Sequence, residues 1–117
     1  MPIKLKRAYD PPAPGDGLRI LLERLWPRGL TKEAAALDEW TKDVSPSPNL
    51  RKWFAHDPSK WDAFKDRYRE ELRANPDGIA RLRALVAGKT ATFVYAAKDP
   101  DMNSALLLKA FIEGERQ

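Results

Sequence analysis

The sequence predicts a single α/β domain of three layers, a small and mostly parallel sheet with helices on both faces. Three observations lead there. Short apolar or β-branched runs alternate along the chain with stretches of helical periodicity, and strands that alternate with helices build parallel layered sheets. At 117 residues the chain has room for one core and no second domain. Its 43% hydrophobic and 32% charged content is that of a globular protein rather than a disordered one.

Each element follows from local chemistry. Ile3 and Leu5 alternate with Lys4 and Lys6, the period of a half-buried strand. Residues 11–17 hold three prolines and two glycines and form a loop. Residues 18–25 are dense in Leu and Ile and read as a central strand buried on both faces, broken by Trp26, Pro27, Arg28 and Gly29. Thr31 can cap a short helix through Leu37, built on Lys32, Glu33 and three alanines. A short third strand is expected at residues 38–42, around Trp40.

The second half of the chain is mostly helical. Ser47 and Pro48 form a cap-then-proline signature, and Leu50, Trp53 and Phe54 would be the buried face of the helix they open. Asp57 and Pro58 repeat the signature. Behind them Trp61, Phe64, Tyr68 and Leu72 fall on one stripe of a 3.6-residue period. Asn75 and Pro76 open a further helix with Ile79, Leu82 and Leu85 or Val86 inward, ended by Gly88. Residues 90–97, β-branched and aromatic, read as a central strand. A final helix from about Asn103 presents Leu107, Leu108, Phe111 and Ile112.

Composition narrows the chemistry. The chain lacks cysteine, which excludes disulfides, thiol nucleophiles and Cys-ligated metal, and its one histidine, His56, excludes paired imidazoles. No metal site and no cofactor are expected. Neither Gly-rich phosphate loop, nucleophile elbow nor metalloprotease motif is present. The N-terminal residues do not resemble an export signal and no apolar run is long enough to span a bilayer, so a cytoplasmic protein with no membrane partner is expected. The formal charge of +4 is spread evenly: eleven basic and eight acidic residues in the first sixty, ten and nine in the rest. That is unlike the basic tail or stripe that tracks a nucleic-acid backbone.

If the sheet is parallel, the residues just past each strand share one edge, where open α/β domains bind ligands. That edge would gather Arg7, Tyr9 and Asp10 after the first strand, Arg24, Trp26 and Arg28 after the second, Ser45, Ser47 and Arg51 after the third, and Tyr95, Lys98, Asp99 and Asn103 after the last. The set is rich in arginine, whose planar fork of donors suits phosphate or carboxylate. Ser47 precedes a helix N-terminus, which also favours an anion, and Trp26 and Tyr9 offer stacking faces. The candidate ligand-binding residues are therefore Arg7, Tyr9, Arg24, Trp26, Arg28, Ser47 and Arg51, with Asp10 and His56 as weak candidates for proton transfer. Each also has a structural reading. Arg24 could pair inside the fold with Asp38, Asp43 or Glu71, Trp26 and Trp40 could be core or rim, Ser47 is a helix cap, and His56 could make a structural hydrogen bond.

Several strings resemble one family. Lys6-Arg7-Ala8-Tyr9-Asp10, Asp16-Gly17-Leu18-Arg19 and Glu23-Arg24-Leu25-Trp26-Pro27-Arg28-Gly29 carry the likeness in the first half. It continues in Trp40, Pro46-Ser47, Leu50-Arg51-Lys52-Trp53-Phe54, His56-Asp57-Pro58, Phe64, Tyr68, Glu71-Leu72 and Tyr95-Ala96-Ala97-Lys98. Over nearly its whole length the chain resembles the domain-of-unknown-function 488 family, in its YeaO-like branch. Glu23 stands where that family usually carries Asp, which keeps the charge. The resemblance implies a small stand-alone bacterial or archaeal α/β protein and supplies no mechanism.

Three readings of function follow from the residues. One is a site for a phosphate- or nucleotide-like small molecule, as a hydrolase or transferase or as a simple binder. The alternative is a nucleic-acid-binding module using the same arginines with Trp26 or Tyr9 stacking on a base, or a structural or interaction protein without catalysis. The sequence does not fix the oligomeric state.

Overall fold

In the computed structural model, which describes residues 3–114, the chain folds into an α/β domain around a sheet of four parallel strands. The strands are β1 (Ile3–Arg7), β2 (Leu18–Leu21), β3 (Glu39–Trp40) and β4 (Ala91–Tyr95), in the spatial order β1-β4-β2-β3. The most β-branched and aromatic run is thus central, its five residues all buried between β1 and β2.

Alternation along the strands makes two unlike faces. Register places Leu5 and Ile20 on either side of Phe93, and Lys6 and Leu21 on either side of Val94. The first set, with Ile3, Leu22, Ala91 and Tyr95, meets the main core. That core is closed by α2 (Pro48–Phe54), α3 (Trp61–Arg73), α4 (Pro76–Val86) and α5 (Ser104–Gly114). Apart from Trp53, which stays half-buried with the Arg67 guanidinium over its ring, the expected helix faces are the buried ones: Leu50 and Phe54, then Phe64, Tyr68 and Leu72, then Ile79, Leu82 and Val86, then Leu107, Leu108, Phe111 and Ile112. Trp61 completes its stripe half-buried, with its ring stacked on Phe64.

The opposite face is thinner. It carries one helical turn, α1 (Lys32–Ala35), a 3-10 turn at Pro14–Asp16 and a small apolar cluster of Ala8, Leu21 and Val94 flanked by Trp26, Leu30 and Leu37. Polar groups fill the remainder. The Arg19 guanidinium, buried on this face, donates to Asp16 at 2.7 Å and twice to the carbonyl of Ala35. Lys6 reaches the same carboxylate at 3.2 Å, and the fully buried Thr92 hydroxyl donates to the Asp16 carbonyl. Buried charges persist where they are paired and hydrogen-bonded, and here each guanidinium nitrogen of Arg19 has an acceptor.

The cap signatures form as expected. Thr31 accepts from the Ala34 N–H, Ser47 from Leu50, Asp57 from Ser59 and Asn75 from Gly78. The second strand departs from expectation, for it stops at Leu21 and leaves Leu25 69% exposed. Past Leu21 the polar groups take over the chain's direction. The Glu23 carbonyl accepts the Trp40 indole at 2.6 Å, its carboxylate accepts the Ala96 N–H, and Arg24 turns to the 45–46 segment. Among the described residues no helix is long and apolar enough to cross a membrane.

Candidate functional site

Because every strand runs the same way, the C-terminal ends of β2 and β4 open on one edge. There the chain leaves a cavity of ≈ 270 Å³, walled by the segments after β2, β3 and β4 and by the C-terminal end of α2. Glu23, Arg24, Ser45, Arg51, His56, Asn103 and Ser104 supply its polar lining, and Pro46, Phe54, Phe64, Ala96, Ala97 and Met102 the apolar part.

One wall is a tightly held loop. Four side chains from distant parts of the sequence bind successive backbone groups of residues 43–47. Asn75 donates to the carbonyl of Asp43 at 2.9 Å and Tyr68 to that of Val44 at 2.6 Å. Arg24 donates to Ser45 at 3.3 Å and to Pro46 at 2.8 Å, and Glu71 accepts from both the N–H and the hydroxyl of Ser47. Tyr68 is buried, and burial first, then the charges of Glu71 and Glu23, raises its phenol pKa well above the usual value. It therefore stays a donor at any physiological pH.

These bonds give Arg24 its orientation. It donates to carbonyls rather than to Asp38, Asp43 or Glu71, while Asp38 instead accepts the backbone N–H of Arg19. Ser47 caps α2 and its anionic partner is internal, the Glu71 carboxylate, at 2.6 Å from the hydroxyl.

Across the cavity the groups are less engaged. Glu23 has one carboxylate oxygen on the Ala96 N–H at 3.2 Å. Among the described residues its other oxygen has no hydrogen bond and no cation pairs with it. Arg51 is exposed at the rim on α2, and its guanidinium makes no hydrogen bond or ion pair with any described residue. His56 follows Ala55, and both hold left-handed backbone, with φ of 57° and 48°. That bend ends α2 and turns His56 to the rim, 6.4 Å from the Phe54 ring. Left-handed conformations cost a non-glycine residue energy and are held by their surroundings.

The other ligand-binding candidates are not in this lining, although Arg7 reaches its edge at Ala97. Arg7 donates to the Ala97 carbonyl and sits over the Tyr9 ring, and the Tyr9 hydroxyl donates to the Arg28 carbonyl. Trp26 packs edge-on against Trp40 and donates to the Leu30 carbonyl, beside a second, shallower recess. Exposed Asp10 is outside the lining. The lining thus gathers Arg24, Arg51, Ser45, His56 and Asn103 and leaves out Tyr9, Arg28, Trp26 and Ser47, with Arg7 touching it only at the Ala97 carbonyl. Glu23, Phe54, Phe64 and Met102 are lining residues the sequence reading did not single out as a site. Glu23 sits next to Arg24 just past the strand, and that position was the available signal. Among the described residues, no three carboxylate or imidazole side chains are grouped as a metal site would require.

The cavity-lining residues lie largely in the strings on which the family resemblance rests, and comparison with known proteins bears the resemblance out. Residues 2–117 match the family model described as the inactive DUF488-N3 subclade. The chain belongs to the DUF488 family, in its YeaO-like branch. It is 42% identical over 108 residues to the protein YeaO of Escherichia coli K12, described as uncharacterized, across 92% of this chain and 94% of that one. An uncharacterized protein of Mycobacterium tuberculosis H37Rv is 36% identical over 112 residues, covering 96% of this chain and 94% of its own length. No solved structure matches the chain.

Proposed function

We propose that the protein binds a small phosphate-bearing molecule in the cavity at the C-terminal edge of its sheet, and that it does so without catalysis. The observation that carries the reading is the Arg51 guanidinium, unpaired among the described residues, which lines a cavity of ≈ 270 Å³ together with Arg24. Guanidinium forks suit phosphate, and edges of this kind are where open α/β sheets take their ligands. A volume of that size admits a metabolite rather than a duplex, which favours a small molecule over nucleic acid. The description of the matching family model as an inactive subclade supports binding over turnover. So does the placement of the proton-transfer candidates, since Asp10 lies outside the lining and exposed His56 has no hydrogen-bonded carboxylate among the described residues.

Thermal unfolding in the presence of phosphorylated metabolites and nucleotides tests the reading. A ligand at about ten times its Kd adds roughly 1.4 kcal/mol, a rise of about 5 °C for a domain of this size. Arg51→Ala is the variant of choice, because this exposed side chain holds nothing in the fold. It is expected to abolish the rise and leave the ligand-free Tm unchanged. A rise that survives in Arg51→Ala, or a full screen without any rise, overturns the reading.

A further inference from the structure

We infer that the ligand is a small zwitterion, a phosphate joined through a short apolar chain to a primary ammonium, with Glu23 receiving the ammonium. This inference rests on the phosphate-binding reading above and narrows it to one substrate class.

The cavity holds charges of both signs that do not neutralise each other. Arg24 is engaged with the carbonyls of Ser45 and Pro46, and Arg51 has no partner among the described residues. Glu23 gives one oxygen to the Ala96 N–H and has no cation among the described residues on the other. A half-buried carboxylate without a counter-charge disfavours a purely anionic guest, because like charges in a poorly solvated site repel strongly. An ammonium on the same guest turns that repulsion into a charge-assisted hydrogen bond.

Charge balance selects the head group. Two guanidiniums and one carboxylate give the lining a formal charge of +1. A phosphate dianion with one ammonium carries −1, whereas a carboxylate zwitterion is neutral and leaves the site charged. Phe54, Phe64 and Met102 add an apolar wall suited to a methylene chain. The volume of ≈ 270 Å³ lies just below the usual range of roughly 300–1,000 Å³ for small-molecule sites, which favours an aminoalkyl phosphate over a nucleotide.

Calorimetric titration of the full chain with 2-aminoethyl phosphate and with ethyl phosphate separates the possibilities. The amine is expected to tighten binding roughly tenfold, the worth of one charge-assisted hydrogen bond. Glu23→Gln keeps an oxygen for the Ala96 N–H, so the fold is retained, and a urea midpoint checks this. In that variant the preference is expected to fall below about twofold while ethyl phosphate binds at least as well as before. Equal affinity for the two compounds in the natural chain, or a preference that persists in Glu23→Gln, overturns the zwitterion and leaves the phosphate site standing. Failure of both compounds, inorganic phosphate and the nucleotides to bind overturns the site itself.

Discussion

At the scale of single residues, backbone conformation separates positions that composition treats alike. Gly17 has φ of +63°, and a Cβ there would lie 2.2 Å from the carbonyl oxygen of Thr90. That carbonyl accepts the Leu18 N–H, so it cannot retreat without breaking the junction of β2 with β4. Gly17→Ala combines a disfavoured φ with a backbone clash and is expected to cost at least roughly 3 kcal/mol, read as a fall in urea midpoint. Ala55 presents the opposite case, a Cβ already in left-handed backbone at the end of α2. Glycine adopts that conformation freely, so Ala55→Gly is expected to be neutral or stabilising by up to about 1 kcal/mol. Sequence alone could not distinguish the two, because the requirement at Gly17 comes from a strand more than seventy residues away. The direction taken by Arg24 was hidden for the same reason. Its sequence suggested carboxylate partners, and its bonds run to carbonyls of the 45–46 segment.

At the scale of elements, the proline-marked caps were the most legible features, since each uses only residues two or three positions apart. Strand ends were less so. β2 stops four residues short of its apolar run, where Glu23 and Arg24 bind groups outside the sheet. The loop before α2 depends on side chains from three other parts of the chain, and this decides which substitutions matter. Tyr68→Phe removes the side-chain donor to the Val44 carbonyl while keeping the ring in the core. Loss of a buried donor costs about 1–3 kcal/mol, and the same loss is expected here, with a looser cavity wall visible as faster amide exchange over residues 43–47. Ser47→Ala loses both a cap and the hydroxyl bond to Glu71. Its expected cost is about 1–2 kcal/mol, measured by chemical denaturation. If neither substitution changes exchange in the loop, the loop is held by packing alone.

At the scale of the whole molecule, the alternation of strands and helices made the parallel sheet legible, and with it the edge where the cavity lies. The order β1-β4-β2-β3 was not legible, because the chain's last strand inserts between its first two. Nor was the inequality of the faces, one closed by four helices and the other by a buried ionic cluster centred on Asp16. That cluster sets the response to acid. Burial raises the Asp16 pKa, but the Ala13 N–H and the charges and hydrogen bonds of Lys6 and Arg19 outweigh it, so the net shift is downward. Glu113, raised by desolvation, is lowered on balance by Lys109 and the Ile3 N–H, and half-buried Asp57 is lowered chiefly by the Ser59 hydroxyl and N–H. A carboxylate whose folded pKa is depressed binds protons more readily when unfolded. Its stabilisation is complete above the unfolded value, near 4, and is lost as pH falls through the folded one. The urea midpoint is therefore expected to be level, as far as these groups decide it, from about pH 7 to 5 and to fall steeply below about pH 4. In Asp16→Asn the buried Arg19 keeps its bonds to Ala35 but loses its counter-charge. That variant is expected to be less stable by roughly 3 kcal/mol or more at pH 7 and to show a shallower acid fall, the two curves converging as pH drops through the depressed folded-state pKa of Asp16. Parallel curves across the whole range would remove Asp16 from the acid response and leave it to Glu113 and Asp57.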